Sequence, residues 1–520
     1  MAKCIMVQGT SSNAGKSVLV AALCRIYSRR GYKVAPFKSQ NMSLNSFTTK
    51  ENGEIAIAQV LQAEAADIEP SIHMNPILLK PKGNFTSQVI IQGKAVADMD
   101  FYQYQHEFRE TALKAIEESL NILKEEYDII IIEGAGSPAE INMRKEDLAN
   151  MEIAHLADAD VLLVADIDKG GVFASIAGTF SLLDSYDRKR LKAVVINKFR
   201  GNLDILMPGV EKIEKIINAP VLGVLPYDNS LKLPEEDSAS LHEHKFDSNK
   251  EIIIGVIKLP KIANFTDIDP FEFEDDIGLK LIDIHDEIKE VDAIIIPGTR
   301  NTVEDLENLK ETGMDEKIKK LANDIPIIGI CGGYQILGEK IHHINEKNEE
   351  IIVDGLNLLK IETFFKKDSN MDKIVEQSIG TIINNNSSKT NLNASSNLAN
   401  SMFSSIPDEE IRGYEIHEGI TKLTGSQPLL KIKKGVGNSI SSEYDGAIEG
   451  NVIGSYFHGI FHNYNFRACF LNYLREKKGF KPKFDEDPYE AKKDYSIEKL
   501  AKIVENNLNM EFIDKLIIKK

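Results

Sequence analysis

Cys4-Ile5-Met6-Val7-Gln8-Gly9-Thr10-Ser11-Ser12-Asn13-Ala14-Gly15-Lys16-Ser17-Val18 decides the fold of the first half of the chain. Cys4 to Gln8 is an apolar run suited to a buried strand, Gly9 to Ser17 is a polar, glycine-containing loop, and the segment from Val18 to Tyr27 has the apolar content of a helix. Strand, glycine loop and helix in that order are the context a phosphate-binding P-loop requires. Backbone N–H groups of Gly9, Thr10, Asn13, Ala14 and Gly15 would cradle phosphates, Lys16 would reach the terminal ones, and Ser17 would hold a magnesium ion (Mg2+). The first glycine stands one residue earlier than in the commonest spacing, so the loop is slightly longer. A plain structural turn has no need of Gly-Lys-Ser at a helix start.

Outward from this loop the pattern repeats. Lys33 to Lys38 is a second short strand leading into the polar loop Ser39 to Ser46, and Ile55 to Ala66 has helical character. Asn75-Pro76-Ile77-Leu78-Leu79-Lys80-Pro81 resembles a strand with Lys80 at its tip. A solvated loop is the bland reading of Ser39 to Ser46, and its place at the end of a strand adjoining the P-loop strand gives a substrate or phosphate contact at least equal weight. Lys38, Gln40, Asn41, Ser43 and Lys80 are therefore the candidate substrate contacts. Four consecutive isoleucines, Ile129 to Ile132, end in Glu133, a carboxylate at a strand end that suits a magnesium ligand or water positioner opposite a P-loop. Further apolar runs at Asp160 to Asp166, Leu191 to Asn197 and Pro220 to Pro226, separated by helical stretches, mean a doubly wound parallel sheet. Asn197-Lys198 lies where a nucleotide base would be met.

At 520 residues the chain exceeds one ordinary core, and a net charge of −18 argues against nucleic-acid binding, which needs clustered cations. Its four cysteines, Cys4, Cys24, Cys331 and Cys469, have no paired spacing for zinc or a disulfide framework, so a cytoplasmic protein is expected. No apolar run has the length of a membrane span, and the N-terminal segment runs into a P-loop strand rather than a cleavable signal.

The polar stretch from Asn229 to Lys250 separates a second sheet that starts with Ile252 to Ile257. Within it, Ile325-Pro326-Ile327-Ile328 runs into Gly329-Ile330-Cys331-Gly332-Gly333-Tyr334-Gln335, a strand followed by the start of a helix. Cys331 thus occupies a tight strand-to-helix turn, a position that suits a nucleophilic sulfur beside backbone N–H donors. A small buried cysteine is the commoner fate of the residue type; the two following glycines keep this turn strain-free and the sulfur approachable. Gly332, and Gly298 in Ile294-Ile295-Ile296-Pro297-Gly298-Thr299-Arg300, are the candidate oxyanion donors. A thiol nucleophile needs a base found in space. His458, in Ser455-Tyr456-Phe457-His458-Gly459, is the candidate, with His417 as rival. Lys367 to Ser405 is rich in Asn and Ser and is expected to be a flexible insertion, and Ser496 to Lys520 a closing amphipathic helix.

Together the P-loop, Pro36-Phe37-Lys38-Ser39-Gln40-Asn41-Met42-Ser43, Gln62-Ala63-Glu64-Ala65-Ala66, Met74-Asn75-Pro76, Glu133-Gly134-Ala135-Gly136-Ser137, the Cys331 turn and Tyr456-Phe457-His458-Gly459 resemble the adenosylcobyric acid synthases, glutamine-hydrolysing amidases of cobalamin biosynthesis. The resemblance implies an α/β architecture of two doubly wound parallel-sheet domains. The first is an ATP-dependent synthetase domain similar to dethiobiotin synthetase (1–235); a linker (236–250), a class I, flavodoxin-like glutaminase domain (251–475) and a helical tail (476–520) follow. It further implies L-glutamine, ATP and adenosylcobyrinic acid a,c-diamide as reactants, with amidation at the b, d, e and g carboxylates. Most class I glutaminases carry an acid two residues after the histidine. Here that position is Ile460, which suggests a Cys-His pair and leaves any group that orients His458 unidentified. The related a,c-diamide synthases, and P-loop regulatory ATPases with a non-catalytic second domain, are the alternative readings.

Overall fold

A computed structural model of the chain describes residues 2–83, 85–144, 147–234, 246–344, 348–365, 373–383, 409–484 and 487–518. Two compact units emerge: one comprises Met1–Ser43, Gly53–Pro234 and Ala491–Lys520, the other Leu44–Asn52 and Glu235–Glu490.

The first unit is built on a six-stranded sheet in the spatial order Val221–Pro226, Leu191–Phe199, Asp160–Asp166, Lys3–Gly9, Ile129–Glu133, Val34–Phe37, with every neighbouring pair parallel. Both faces are covered, as a parallel sheet requires. Because side chains alternate along a strand, Ile130 and Ile132 enter one core with Met6 and Leu163, while Ile129 and Ile131 enter the other with Ile5 and Leu162. That is why the isoleucine run carries no alternation in hydropathy. A smaller sheet pairs Gln40–Met42, Ile77–Gly83, Thr86–Ile91 and Lys94–Asp100. Lys80 stands in the middle of the strand Ile77–Gly83 and not at a tip, because the strand continues past Pro81 to pair with Thr86–Ile91.

The expected single closing helix is two, Pro488–Asn507 and Met510–Ile517, broken where the Asn509 side chain accepts the Phe512 N–H as an N-cap. Their apolar residues Ile497, Leu500, Val504 and Ile513 complete the core beside Ile5 and Leu19. The tail therefore supplies a wall of the first unit. The expected first domain, 1–235, is interrupted, since Leu44–Asn52 clusters with the second unit.

The second unit has a six-stranded sheet in the order Ile277–Asp283, Ile252–Lys258, Ala293–Ile296, Ile327–Ile330, Val452–Ser455, Ala447–Glu449; the last strand alone runs antiparallel. Two four-stranded sheets are inserted in sequence between its strands Ile327–Ile330 and Ala447–Glu449. One contains Ile374–Ile382, paired antiparallel with Glu410–His417 and Leu430–Lys434. This part of the expected 367–405 insertion is thus a strand: it buries only Ser378 and Gly380, so its sequence carries no apolar alternation to announce it. The remainder of that expectation, at 367–372 and 384–405, and residues 236–245 of the linker expected at 236–250 lie outside the described residues.

Candidate active site

In the second unit, the strand Ile327–Ile330 ends at Cys331, whose φ of 53° and ψ of −107° put a non-glycine residue in a strained conformation before the short helix Gly332–Ile336, so the turn expected to be strain-free carries its strain on Cys331 itself, a position the two following glycines do not relieve. Backbone strain of this kind costs on the order of 1–3 kcal/mol and persists only where surroundings fix it. They do: the Cys331 N–H donates to the Ser455 carbonyl at 2.8 Å, and a Cβ at Gly333 would meet the Ile296 carbonyl oxygen at 2.0 Å. Gly333→Ala is accordingly expected to lose about 1–3 kcal/mol of stability through this backbone collision, together with glutamine hydrolysis; chemical denaturation and a glutaminase assay check both.

The sulfur lies 3.5 Å from the Ile416 carbonyl. A Cβ at Gly298 would sit 3.2 Å from His458 Cε1 and 3.8 Å from Cys331 Cβ, so Gly298, Cys331 and His458 converge on one spot. Gly332 is close by, since a Cβ there would be 3.1 Å from the Thr299 nitrogen. Standing at the start of a helix, its N–H has no intrahelical acceptor.

His458 is buried, its Nδ1 2.7 Å from Asp267 Oδ2, while Asp267 Oδ1 accepts the Gly459 N–H at 2.6 Å. Asp267 is therefore the orienting carboxylate that the usual position, Ile460, fails to provide. It is delivered by the 3-10 helix Phe265–Phe273, after the strand Ile252–Lys258. Burial alone would hold the imidazole neutral, but the Asp267 carboxylate and the Cys331 sulfur, both within hydrogen-bonding reach, push its pKa from 6.5 up to about 10. The pairing contributes stability that is fully present below pH 6.5 and lost as pH rises through about 10. His417 is engaged elsewhere: Nε2 is 3.1 Å from Glu415 Oε2 and its ring stacks on Tyr456 at 3.7 Å.

In the first unit, the loop after the strand Lys3–Gly9 closes at Gly15, whose φ of 97° only glycine adopts readily and where a Cβ would meet Asn197 Nδ2 at 2.0 Å. Asn197 and Lys198 hold the loop itself, donating to the carbonyls of Ala14 at 3.0 Å and Asn13 at 2.7 Å. The Lys16 ammonium donates to the carbonyls of Ser11 at 3.0 Å and Gly136 at 3.3 Å, which ties the P-loop to the Glu133 loop.

Glu133 is the hub. Its Oε1 accepts from Ser17 Oγ at 2.9 Å and Lys38 Nζ at 2.7 Å, and its Oε2 from Gln62 Nε2 at 2.6 Å. Burial would raise this carboxyl, but Lys38, Gln62 and Lys16 outweigh it and hold the pKa below the usual value, so the group is an anion. The Ser17 to Glu133 oxygen separation of 2.9 Å matches two adjacent ligands of an octahedral magnesium, which at 2.0–2.1 Å bonds lie roughly 2.9 Å apart. Among the described residues no cluster of three or more His, Cys, Asp or Glu could hold a metal, so such an ion would draw its other ligands from phosphates and water.

The candidate substrate contacts divide. Lys38 serves Glu133, Gln40 Oε1 accepts from Tyr104 at 2.6 Å, Asn41 Nδ2 donates to Gln59 at 3.1 Å, and Ser43 is buried with its N–H on the Leu79 carbonyl at 3.1 Å. Lys80 forms a buried ion pair with Glu54. The structure thus places Lys38 beside the P-loop and gives Lys80 a carboxylate partner within its own sheet region.

Residues 5–241 match the CobQ/CobB/MinD/ParA nucleotide binding domain and residues 253–466 the CobB/CobQ-like glutamine amidotransferase domain. The chain is 59% identical over 518 residues to a probable cobyric acid synthase of Methanothermobacter thermautotrophicus, covering 99% of each chain. It is 56% identical over 519 residues to a probable cobyric acid synthase of Methanosphaera stadtmanae, again over 99% of each. A cobyric acid synthase of Clostridium botulinum is 45% identical over 523 residues, with 99% of both chains covered.

Proposed function

This chain belongs to the cobyric acid synthase family, and on that premise we propose that it makes adenosylcobyric acid by amidating the b, d, e and g carboxylates of adenosylcobyrinic acid a,c-diamide with ATP and glutamine. The observation that carries this reading is the pair of chemically complementary centres: a Cys331–His458–Asp267 constellation in a glutamine amidotransferase domain and a P-loop facing an anionic, lysine-paired Glu133 in a nucleotide-binding domain.

At the first centre, Cys331 Sγ attacks the side-chain amide carbon of glutamine with its proton held on His458. The N–H groups of Gly298 and Gly332 receive the oxyanion, and His458 returns the proton to the departing ammonia. Water then cleaves the thioester, releasing glutamate. At the second centre a corrinoid carboxylate attacks the γ-phosphorus of ATP and ADP leaves. Ammonia adds to the resulting acyl phosphate and phosphate leaves, because phosphate is a far better leaving group than oxide. Lys16 and the P-loop N–H groups carry the charge that develops on the phosphoryl oxygens, while Lys38 and Gln62 fix Glu133 in its anionic form. Ser17 and Glu133 would hold a magnesium ion, which would supply charge neutralisation on the phosphates.

Asp267 has a specific expected signature. With the imidazolium held to about pH 10, the alkaline limb of glutaminase kcat/KM should lie near that value. Asp267→Asn should bring the alkaline limb down toward the 6.5 of free imidazole and cut kcat about 10²- to 10⁴-fold; pH profiles of both proteins check it.

The function itself is tested by incubating purified protein with ATP, glutamine and each candidate corrinoid, and counting new amides by mass. Four additions to the a,c-diamide are expected. Amidation of the unamidated corrinoid at its a and c positions alone would assign the chain to a,c-diamide synthesis instead.

A further inference from the structure

Two charged side chains of the second unit have no part in the chemistry above. Arg300 follows the oxyanion glycine Gly298 by two residues, and Glu418 follows Ile416, the carbonyl beside the Cys331 sulfur, by two. Each therefore stands roughly 6.5–7 Å along an extended chain from a group that packs on the nucleophile. One residue of the helix Gly332–Ile336 fixes both segments. The Gln335 side chain accepts from Thr302 Oγ1 at 2.8 Å and donates to the Glu418 carbonyl at 3.0 Å, so the Arg300 and Glu418 segments are held against the same turn that carries Cys331.

The two side chains meet, with Arg300 Nη1 3.4 Å from Glu418 Oε1. That contact is longer than the 2.7–2.9 Å of a well-formed charged hydrogen bond. Meanwhile Arg300 Nε and Nη2 are buried and, among the described residues, have no hydrogen-bond partner. A guanidinium with two buried, unsatisfied donors is costly to maintain for the fold alone. Nε and Nη2 are also the two adjacent donors with which an arginine grips a carboxylate bidentately.

We propose that Arg300 and Glu418 anchor the two ends of the glutamine zwitterion, Arg300 Nε and Nη2 taking the α-carboxylate and Glu418 the α-ammonium. The reading rests on glutamine hydrolysis at Cys331, and it adds what that centre selects. The reacting amide carbon of glutamine is three carbon–carbon bonds, each roughly 1.5 Å, from the α-carbon that bears both charges. A fixed pair of opposite charges a short side chain away from the sulfur measures that length. It accepts a free amino acid with a two-methylene amide side chain and rejects simple amides, which lack the charges, and asparagine, which is one methylene short.

The experiment compares full-length protein with Arg300→Gln, Arg300→Lys and Glu418→Gln in amide hydrolysis of glutamine, of 4-aminobutanamide, which lacks the α-carboxylate, and of 4-carbamoylbutanoate, which lacks the α-ammonium. Arg300→Gln is expected to raise KM for glutamine on the order of 10- to 100-fold with kcat little changed, and to leave KM for 4-aminobutanamide where it was. Arg300→Lys should recover part of the loss, as a single point charge replaces the fork. Glu418→Gln should erase the preference for glutamine over 4-carbamoylbutanoate. An unchanged glutamine KM in Arg300→Gln, or a loss of equal size on glutamine and both analogues, overturns the proposal. Absence of glutamine hydrolysis by the unsubstituted protein would remove the underlying reading instead, and the two failures are thereby distinguishable.

Discussion

Replacing Cys331 by serine is expected to lower glutamine-dependent amidation on the order of 10³-fold or more, while amidation driven by added ammonia persists. The sulfur is held by a strained turn whose surroundings are all backbone or fully buried groups: the Ser455 carbonyl on the Cys331 N–H and the Asp267-bound His458 beside it. Serine keeps that geometry, since it differs by one atom, but its hydroxyl is a far weaker nucleophile than the sulfur for which His458 is set. The second centre never touches this atom in the reaction described above. Measuring product with each nitrogen donor separates the halves: loss from both donors would mean that Cys331 supports the synthetase unit as well.

The complementary expectation concerns Lys16. Lys16→Ala should reduce amidation from glutamine and from ammonia alike, by about 10²- to 10³-fold in kcat, because one preorganised cation on the transferring phosphoryl group is lost. Glu133→Gln should fall in the same direction. It removes the anion that holds Ser17, Lys38 and Gln62 together, so that the buried Lys38 loses its charge-assisted contact with Glu133. Nucleotide affinity measured by calorimetry, alongside turnover with ammonia, distinguishes lost binding from lost chemistry. Retained ammonia-driven turnover in Lys16→Ala would place the phosphoryl transfer elsewhere.

Much of the arrangement is legible in the chain. The P-loop and the isoleucine run before Glu133 are local signals, and their pairing follows from strands that can be buried only in a parallel sheet. Cys331 is legible for the same reason, since its turn is written in consecutive residues. Asp267 is not, because it meets His458 across 191 residues and has no motif of its own. What signal exists is its place in the loop after the first strand of the second unit, the rim where such sheets collect their catalytic groups. Leu44–Asn52 is illegible on the same grounds: the Ser46 N–H donates to the Asn264 side chain 218 residues away, and nothing local marks a change of unit. Lys80 shows the opposite failure. A lysine near the end of an apolar run suggests an exposed tip, but the strand runs on and Glu54 neutralises it in the interior.

The account stands on nitrogen passing from glutamine to a carboxylate activated by ATP. Turning over a corrinoid a,c-diamide labelled with oxygen-18 in its free carboxylates, with ATP and glutamine carrying nitrogen-15 in the side-chain amide, tests this most directly. One oxygen-18 should appear in inorganic phosphate for each nitrogen-15 that appears in the corrinoid. Nitrogen-15 incorporation with unlabelled phosphate, or labelled phosphate with no nitrogen-15 in the product, would contradict it.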